Sequence, residues 1–291
     1  MRKELAPLLL CPACFEGRLN PGPVEKEGWE IEEGTLRCGG CGEEFPVRKG
    51  IADLLYRPSH EVEREIEAWS SFCPDRELSE EDWESTREWL RRLPFLEGQP
   101  GPRADLETWR RHGRAVLELC DDIDWKERSV LELGAGRCWL SAHLARLGAR
   151  VVAVDILEAD YIGLSSAEVF LEEGVRFDRI LCDMHHLPFE PDCFDAVVAT
   201  ATLHHSHDAA ALLREVKRVL RPQGMILAAN EPLYAAWREE TEEERKGAHE
   251  ESYSLRTWLR YFRKSGLAVT ELRVDREAAL RLKAMPVEKK G

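Results

Sequence analysis

The chain has 291 residues, 43% of them hydrophobic and 33% charged, and carries a formal net charge of -14. That apolar share is enough for a packed interior and excludes global disorder, and no run of 18 or more apolar residues is present, so no membrane span is predicted. Residues 1–56, 57–128 and 129–291 are each net acidic, which disfavours a dedicated nucleic-acid binder, because phosphate contacts rely on clustered Lys and Arg.

The chain opens MRKELAPLLLCPAC. Its apolar run is short for a signal peptide and enters a cysteine motif that cleavage would remove, so a cytoplasmic protein is expected. Four of the nine cysteines are paired at short spacing and five are scattered. An odd count divided this way suits a reducing compartment and a metal site better than a disulfide framework.

Cys11-Pro-Ala-Cys14 and Cys38-Gly-Gly-Cys41 are two CxxC knuckles separated by 23 residues. Each turns tightly enough to aim two thiolates at one point, and together they supply the four soft ligands that tetrahedral zinc prefers. A redox dithiol is the competing reading, but two pairs fit a closed, structural site better. Pro21-Gly22-Pro23 and the acidic stretch after it are expected to form an extended loop or hairpin within the gap. The segment at about 8–55 resembles the Trm112-like (UPF0434-type) zinc ribbon, through Leu9-Leu10-Cys11-Pro12-Ala13-Cys14, Leu36-Arg37-Cys38, Cys41-Gly42, Phe45-Pro46-Val47 and Gly50-Ile51 with Leu54-Leu55. Members of that family stand alone, activate partner methyltransferases or are fused to them. A fused ribbon is expected here mainly to pack and stabilise.

Residues 57–127 read as a helical linker or lid. Val62, Ile66 and Trp69 recur at helical spacing, and a second helix starts near Ser79, where Asp82 completes a capping pattern. Pro94–Pro102 reads as a loop, and a third helix runs from about Asp105 to Cys120. Trp69, Trp83, Trp89, Trp109 and Trp125 fall in this region. They pack its helices on the main domain, or some of them line a lid over cofactor or substrate, and one Trp can do both.

From residue 128 onward, strands alternate with helices, which predicts a mostly parallel sheet covered on both faces. Strands are expected at Ser129–Leu133, Val151–Asp155, Arg179–Cys182, Ala196–Thr200, Met225–Ala229 and Leu267–Val274. Helices are expected near Cys138–Leu147 and Asp208–Leu220, and after Ser254. Arg221–Gly224 reads as a turn, Glu239–Glu244 as a solvated helical face, and Lys283–Gly291 carries little signal.

The central motif runs Val130-Leu131-Glu132-Leu133-Gly134-Ala135-Gly136-Arg137-Cys138: a strand, then a turn without side chains at 134 and 136 that lets the backbone approach a ligand. A dinucleotide fingerprint starting at Gly134 needs Gly or Ala at 139, where Trp139 stands. Glu132 would repel a pyrophosphate and tolerate a cation. With these residues in place, the stretch at about 128–275 resembles class I S-adenosylmethionine-dependent methyltransferases of the methyltransferase type 11 kind. Glu132, Gly134 and Gly136 form the E-x-G-x-G core, with Cys138 in place of the frequent third glycine. Asp155 ends the second strand, Cys182-Asp183-Met184 matches the adenine segment, and Leu187-Pro188-Phe189 through Asp195-Ala196-Val197, Leu203-His204-His205 and Arg218–Gly224 follow in order.

The resemblance implies a Rossmann-like α/β sheet with helices on both faces, preceded by a small β-rich ribbon, in segments 1–56, 57–127 and 128–291. It implies S-adenosylmethionine as cofactor, bound by Glu132, Gly134, Ala135, Gly136, Asp155, Ile156, Asp183, Met184 and Thr200, with structural zinc on Cys11, Cys14, Cys38 and Cys41. Asp155 would take the ribose hydroxyls, and Asp183 with the Met184 amide would take the adenine. For the base, His204 or His205 is favoured, with His207, His185 and His186 weaker, and each has a structural alternative. Glu231 either meets the acceptor or caps the next segment. His249, Glu250 and Tyr253 are candidates for the acceptor wall. A small-molecule acceptor is expected; the alternatives are RNA gripped by the ribbon, or a non-catalytic cofactor-binding subunit.

Overall fold

The computed structural model describes residues 1–22, 30–73, 79–96, 103–234, 241–275 and 279–287. The expected hairpin after Gly22, the rest of the loop through Pro102, and the start of the Glu239–Glu244 face lie outside them. The ribbon contributes β1 (Leu19–Pro21), β2 (Gly34–Cys38), β3 (Glu44–Arg48) and β4 (Ile51–Asp53). Next come α1 (His60–Ser70), α2 (Glu80–Arg91) and α3 (Arg103–Cys120). The alternating part is β5 (Ser129–Leu133), α4 (Trp139–Arg146), β6 (Arg150–Asp155), α5 (Glu168–Glu172), β7 (Asp178–Leu181), β8 (Phe194–Thr200), α6 (Ala209–Val219) and β9 (Leu220–Pro232). The chain closes with α7 (Glu242–Arg245), α8 (Leu255–Lys264), β10 (Leu267–Val274) and β11 (Ala279–Pro286).

Helix starts follow local chemistry. The Ser59, Ser79, Asp208 and Ser254 side chains each accept a backbone N–H of the first turn, which satisfies a donor the helix itself leaves open. Ser79 also donates to Asp82 at 2.7 Å, as its spacing predicts.

All strands join one sheet, in the order β1-β2-β3-β4-β7-β6-β5-β8-β9-β11-β10. The run from β4 to β9 is parallel and both ends are antiparallel. The ribbon is therefore the continuation of the central sheet: β4 pairs with β7 through Ile51–Arg179, Ala52–Ile180 and Asp53–Leu181. Side chains then divide by period two. Leu131, Leu133, Val152, Val154, Val197 and Ala199 enter one core layer, with the ribbon, α6 and α8. Val130, Val151, Ala153, Ala196 and Val198 enter the other, with α3, α4 and α5.

Two expectations change. Arg221–Gly224 does not end an element, because β9 runs through it as a bulge: Leu220 pairs with Phe194, and the next partner of β8 is Met225. Pro222 has no N–H for the ladder, so the register must slip there. The stretch from Lys283, which carries little signal in the sequence, is a strand through Pro286. It forms half of β11, where Leu280, Leu282 and Ala284 are buried in alternation. Neither α5 nor the short helical turn Leu164–Ala167 before it was expected from the sequence.

Candidate functional site

The loops at the carboxyl ends of β5, β6, β7 and β8 surround a cavity of about 440 Å³, which α1 and α3 also line. This is where open parallel sheets hold their ligands. Gly134 has φ +57° and Gly136 has φ +48°. A Cβ at Gly134 would stand 2.5 Å from Thr202 Cγ2 and 2.8 Å from its Oγ1, so no other residue fits.

Asp155 receives the Gly136 amide at 2.8 Å and the Leu157 amide at 3.0 Å, one on each oxygen. Each oxygen keeps a lone pair for a ligand hydroxyl, while burial pushes its carboxyl up to about 6. Glu132 lines the cavity floor. It accepts a short hydrogen bond from Ser141, and burial, aided by the Asp155 charge, pushes its carboxyl up to about 8. Asp183 accepts from the His185 amide at 2.9 Å and pairs with the His185 ring at 2.7 Å and the His186 ring at 3.3 Å. Burial alone would raise Asp183, but these hydrogen bonds hold it at about 2. Thr200 Oγ1 accepts from Asn230 at 2.8 Å.

All nine residues named above for the cofactor line the cavity. The two favoured histidines separate. His205 lines the cavity, packs edge to face on Trp69 and donates Nδ1–H to the His249 carbonyl at 2.9 Å. Its Nε2 is then the lone-pair nitrogen. Burial and the neighbouring His204 charge push it down to about 4. His204 is buried away from the cavity lining, between Glu231 (2.8 Å) and Glu250 (3.4 Å). Burial would lower its pKa, but the two carboxylates carry it to about 9. Glu231 also receives the Thr202, Leu203 and His204 amides. This is neither of the two roles expected of it: Glu231 caps the turn at Leu203–His205, which precedes it in the chain, and not the segment that follows it. His185 bridges Asp183 and Ser206. A second chamber of about 260 Å³ shares Glu65, His205 and His207 with the first and reaches His249 and Glu250.

In the ribbon, the Sγ atoms of Cys11, Cys14, Cys38 and Cys41 lie within 4.8 Å of one another. The Cys11–Cys41 and Cys14–Cys38 separations are both 3.7 Å, close to the edge of a tetrahedron with bonds of about 2.3 Å (about 3.8 Å). Backbone amides of Ala13, Gly17, Gly40 and Cys41 point at these sulfurs. A Cβ at Gly17 would fall 2.3 Å from Cys38 Sγ. The donor set and its cradle fit a zinc ribbon.

Residues 131–228 match the methyltransferase domain family, and residues 2–50 match the Trm112p-like protein family. The two matches lie in tandem along one chain, the Trm112p-like one first. Its relatives include the malonyl acyl-carrier-protein O-methyltransferase of Halorhodospira halophila, 32% identical over 46% of this chain and 43% of that protein. The demethylmenaquinone methyltransferase of Mycolicibacterium gilvum is 34% identical over 41% of this chain and 46% of that protein. The chain spans less than half the length of the curated relatives it matches. One chain of the complex between the Haloferax volcanii Trm112 methyltransferase activator and a methyltransferase shares the fold: TM-score 0.53 at 16% identity, over 66% of this chain and all of that one.

Sequence reasoning missed several walls of the cavity. Glu65 on α1, Thr108 and His112 on α3, Arg137 and Thr202 all line it. Trp69 and Trp109 line it as well. Trp125 is buried with its N–H on the Cys120 carbonyl and is a packing residue. The helical spacing of Val62, Glu65 and Trp69 was the available signal for α1; nothing local marks His112.

Proposed function

We propose that this protein is an S-adenosylmethionine-dependent methyltransferase acting on a small-molecule acceptor, with zinc held structurally by Cys11, Cys14, Cys38 and Cys41. The observation that carries this reading is the cavity itself, bounded by the bare Gly134–Gly136 turn and Asp155 and by Trp69 and His205. A volume of about 440 Å³ lies within the range of small-molecule sites, roughly 300–1,000 Å³. When bound, the cofactor supplies a methyl already activated by a sulfonium. The residues have the rest of the work. Gly134 and Gly136 admit the ligand backbone-close, Asp155 takes the ribose hydroxyls, and Asp183 and Met184 take the adenine. α1 and α3 exclude water, and His205 accepts the acceptor's proton at Nε2. His204, held between two carboxylates, positions its neighbour and does not meet the acceptor.

The net charge of -14 and the size of the cavity, about 440 Å³, favour a small acceptor over RNA, and the intact set of pocket acids favours turnover over a purely regulatory subunit. Nine free cysteines suit the cytoplasm. No helix among the described residues is long and apolar enough to cross a membrane. Calorimetric titration with S-adenosylhomocysteine, wild type against Asp155→Ala, tests the cofactor, and a metabolite-pool screen with labelled methyl donor tests the acceptor class. Absence of nucleoside binding by the wild type at millimolar concentration overturns the reading.

A further inference from the structure

The two histidines after β8 share a third donor that the reaction proposed above leaves unused. His204, His205 and Glu250 each offer a donor atom within 4.8 Å of the other two, a second group of side chains able to hold a metal ion besides the ribbon's thiols. His204 Nε2 stands 3.4 Å from one Glu250 oxygen, and His205 Nδ1 stands 3.5 Å from the other. The His249 carbonyl adds another oxygen, 2.9 Å from His205 Nδ1.

These separations decide between an ion pair and a ligand set. A charge-assisted N–H···O bond closes to about 2.7–2.9 Å, and His204 makes one such bond, to Glu231 at 2.8 Å. At Glu250 both imidazoles stop short of that distance. Donors on a tetrahedral zinc, with bonds of about 2.0–2.2 Å, stand about 3.3–3.6 Å apart along each edge. The spacing around Glu250 is that of ligands sharing an ion.

The surroundings supply what a metal-binding histidine needs. Its other nitrogen donates to a carboxylate, which fixes the ring and strengthens it as a ligand. Glu231 does this for His204, and the same carboxylate holds the amides of residues 202–204. The second ligand segment is pinned as well. The Glu251 amide donates to the His204 carbonyl at 3.1 Å, and Glu65 on α1 receives the His249 amide. His205 and Glu250 line the chamber of about 260 Å³, which gives an ion an entry and leaves room for water in its remaining positions. Two imidazoles and one carboxylate suit zinc and its first-row neighbours, whereas magnesium and calcium take oxygen donors throughout.

We propose that His204, His205 and Glu250 form a second metal site, apart from the ribbon, for a divalent ion of the zinc class, and that filling it switches off His205 as a base. The site stands on its own geometry, and the switch rests on the role given to His205 above. The ion takes the place of the proton on His204 Nε2, which leaves to solvent, and it binds His205 at Nδ1. The proton of Nδ1 passes through water to Nε2. The nitrogen assigned to the acceptor then has no lone pair left to receive a proton.

The test uses the full chain with zinc in its ribbon. Dialysed against micromolar zinc, wild type is expected to hold two ions per chain by metal analysis. Glu250→Gln keeps the ribbon ion and binds the second at least about 100-fold more weakly, a greater loss than that expected of an outer partner. Cobalt added to the zinc-ribbon protein should give weak visible bands without the sulfur-to-metal absorption of a cysteine site. In protein carrying nitrogen-labelled histidine, zinc should convert His205 from the Nδ1–H to the Nε2–H form by NMR. A single ion per wild-type chain overturns the site, as does a second ion that E250Q holds equally tightly, or a cobalt spectrum of the sulfur type. A His205 ring unchanged by the second ion overturns the switch. S-adenosylhomocysteine should bind equally with one ion or two; an affinity that falls with the second places that ion in the cofactor cavity and overturns the site. Failure of the nucleoside to bind at all sinks the cofactor reading and leaves the metal count standing. The wild-type count, spectrum and tautomer decide even where E250Q does not fold.

Discussion

Replacing Glu132 by Gln tests the electrostatics under the glycine turn. The carboxyl is buried, accepts from Ser141 and keeps its proton up to about pH 8, against an ordinary 4.5. The folded pKa lies above the unfolded one, so the stabilisation is complete below pH 4.5 and is lost as pH rises towards 8, where the unfolded chain is ionised and the folded one is being forced to ionise. Each pH unit inside that window costs about 1.4 kcal/mol, or about 4 kcal/mol from pH 5 to pH 8. Glutamine keeps the shape and the Ser141 contact and has no proton to lose. Urea unfolding at pH 5, 6, 7 and 8 should therefore show wild type losing stability relative to E132Q by that amount, with the Asp155 contribution cancelling in the difference. Two stability curves that stay parallel within about 0.5 kcal/mol would refute the protonated carboxyl, and Glu132 would then be an ionised anchor ready for a cation.

Gly134→Ala forces a side chain into a left-handed backbone and against Thr202. Strain of about 2 kcal/mol or more should weaken S-adenosylhomocysteine at least about 30-fold in calorimetry, and an unchanged affinity would place the ligand elsewhere. His205→Ala should leave that affinity within about threefold, because the residue is assigned to the acceptor. Cys38→Ser should empty the ribbon of zinc in metal analysis and unfold it, given that such sites contribute about 10 kcal/mol or more to folding; full zinc content with four-sulfur spectra would contradict the assignment. Asp178→Ala removes the acceptor of Arg2 Nε (2.7 Å) and of its amide (2.6 Å). It should cost about 3 kcal/mol in chemical unfolding, and a cost below about 1 kcal/mol would show that this pair contributes little to holding the ribbon.

How much of this was legible before the structure depends on the range of the interaction. The glycine turn, the strand-end acids and the two knuckles are local patterns, and the nine positions expected to meet a cofactor line one cavity, as the four thiols gather at one point. His204 and His205 are neighbours with the same side chain. Only tertiary contacts with Glu231, Glu250 and Trp69 separate a buried cation from a neutral ring at the cavity wall. β11 was hidden because Arg281 and Lys283 alternate with its apolar residues. The two cations reach Glu118 and Glu271 across the surface, so the strand reads as a charged tail until its neighbours are known.

The joint between the two segments shows most clearly what spacing alone conceals. A module whose own core is small needs an external support, and metal is one. Here β4 supplies a second by pairing in parallel with β7. Arg179 on β7 reaches back to the Lys49 carbonyl and across to Glu168, both at 2.6 Å, while Leu10 and Glu190 exchange backbone bonds with Pro188 and Leu8. Pro188 and Glu190 follow, in the same loop, the Asp183–Met184 pair that lines the cavity. The ribbon is thus fastened to the loop that carries Asp183 and Met184 as well as to the sheet edge. Loss of zinc should loosen the nucleoside end of the cavity before the glycine turn, because β5 lies two strands farther in. Hydrogen exchange after chelation can read that order. Protection lost first at 182–190 supports a ribbon that braces the site, whereas simultaneous loss at 130–136 would mean that the sheet responds as a single unit.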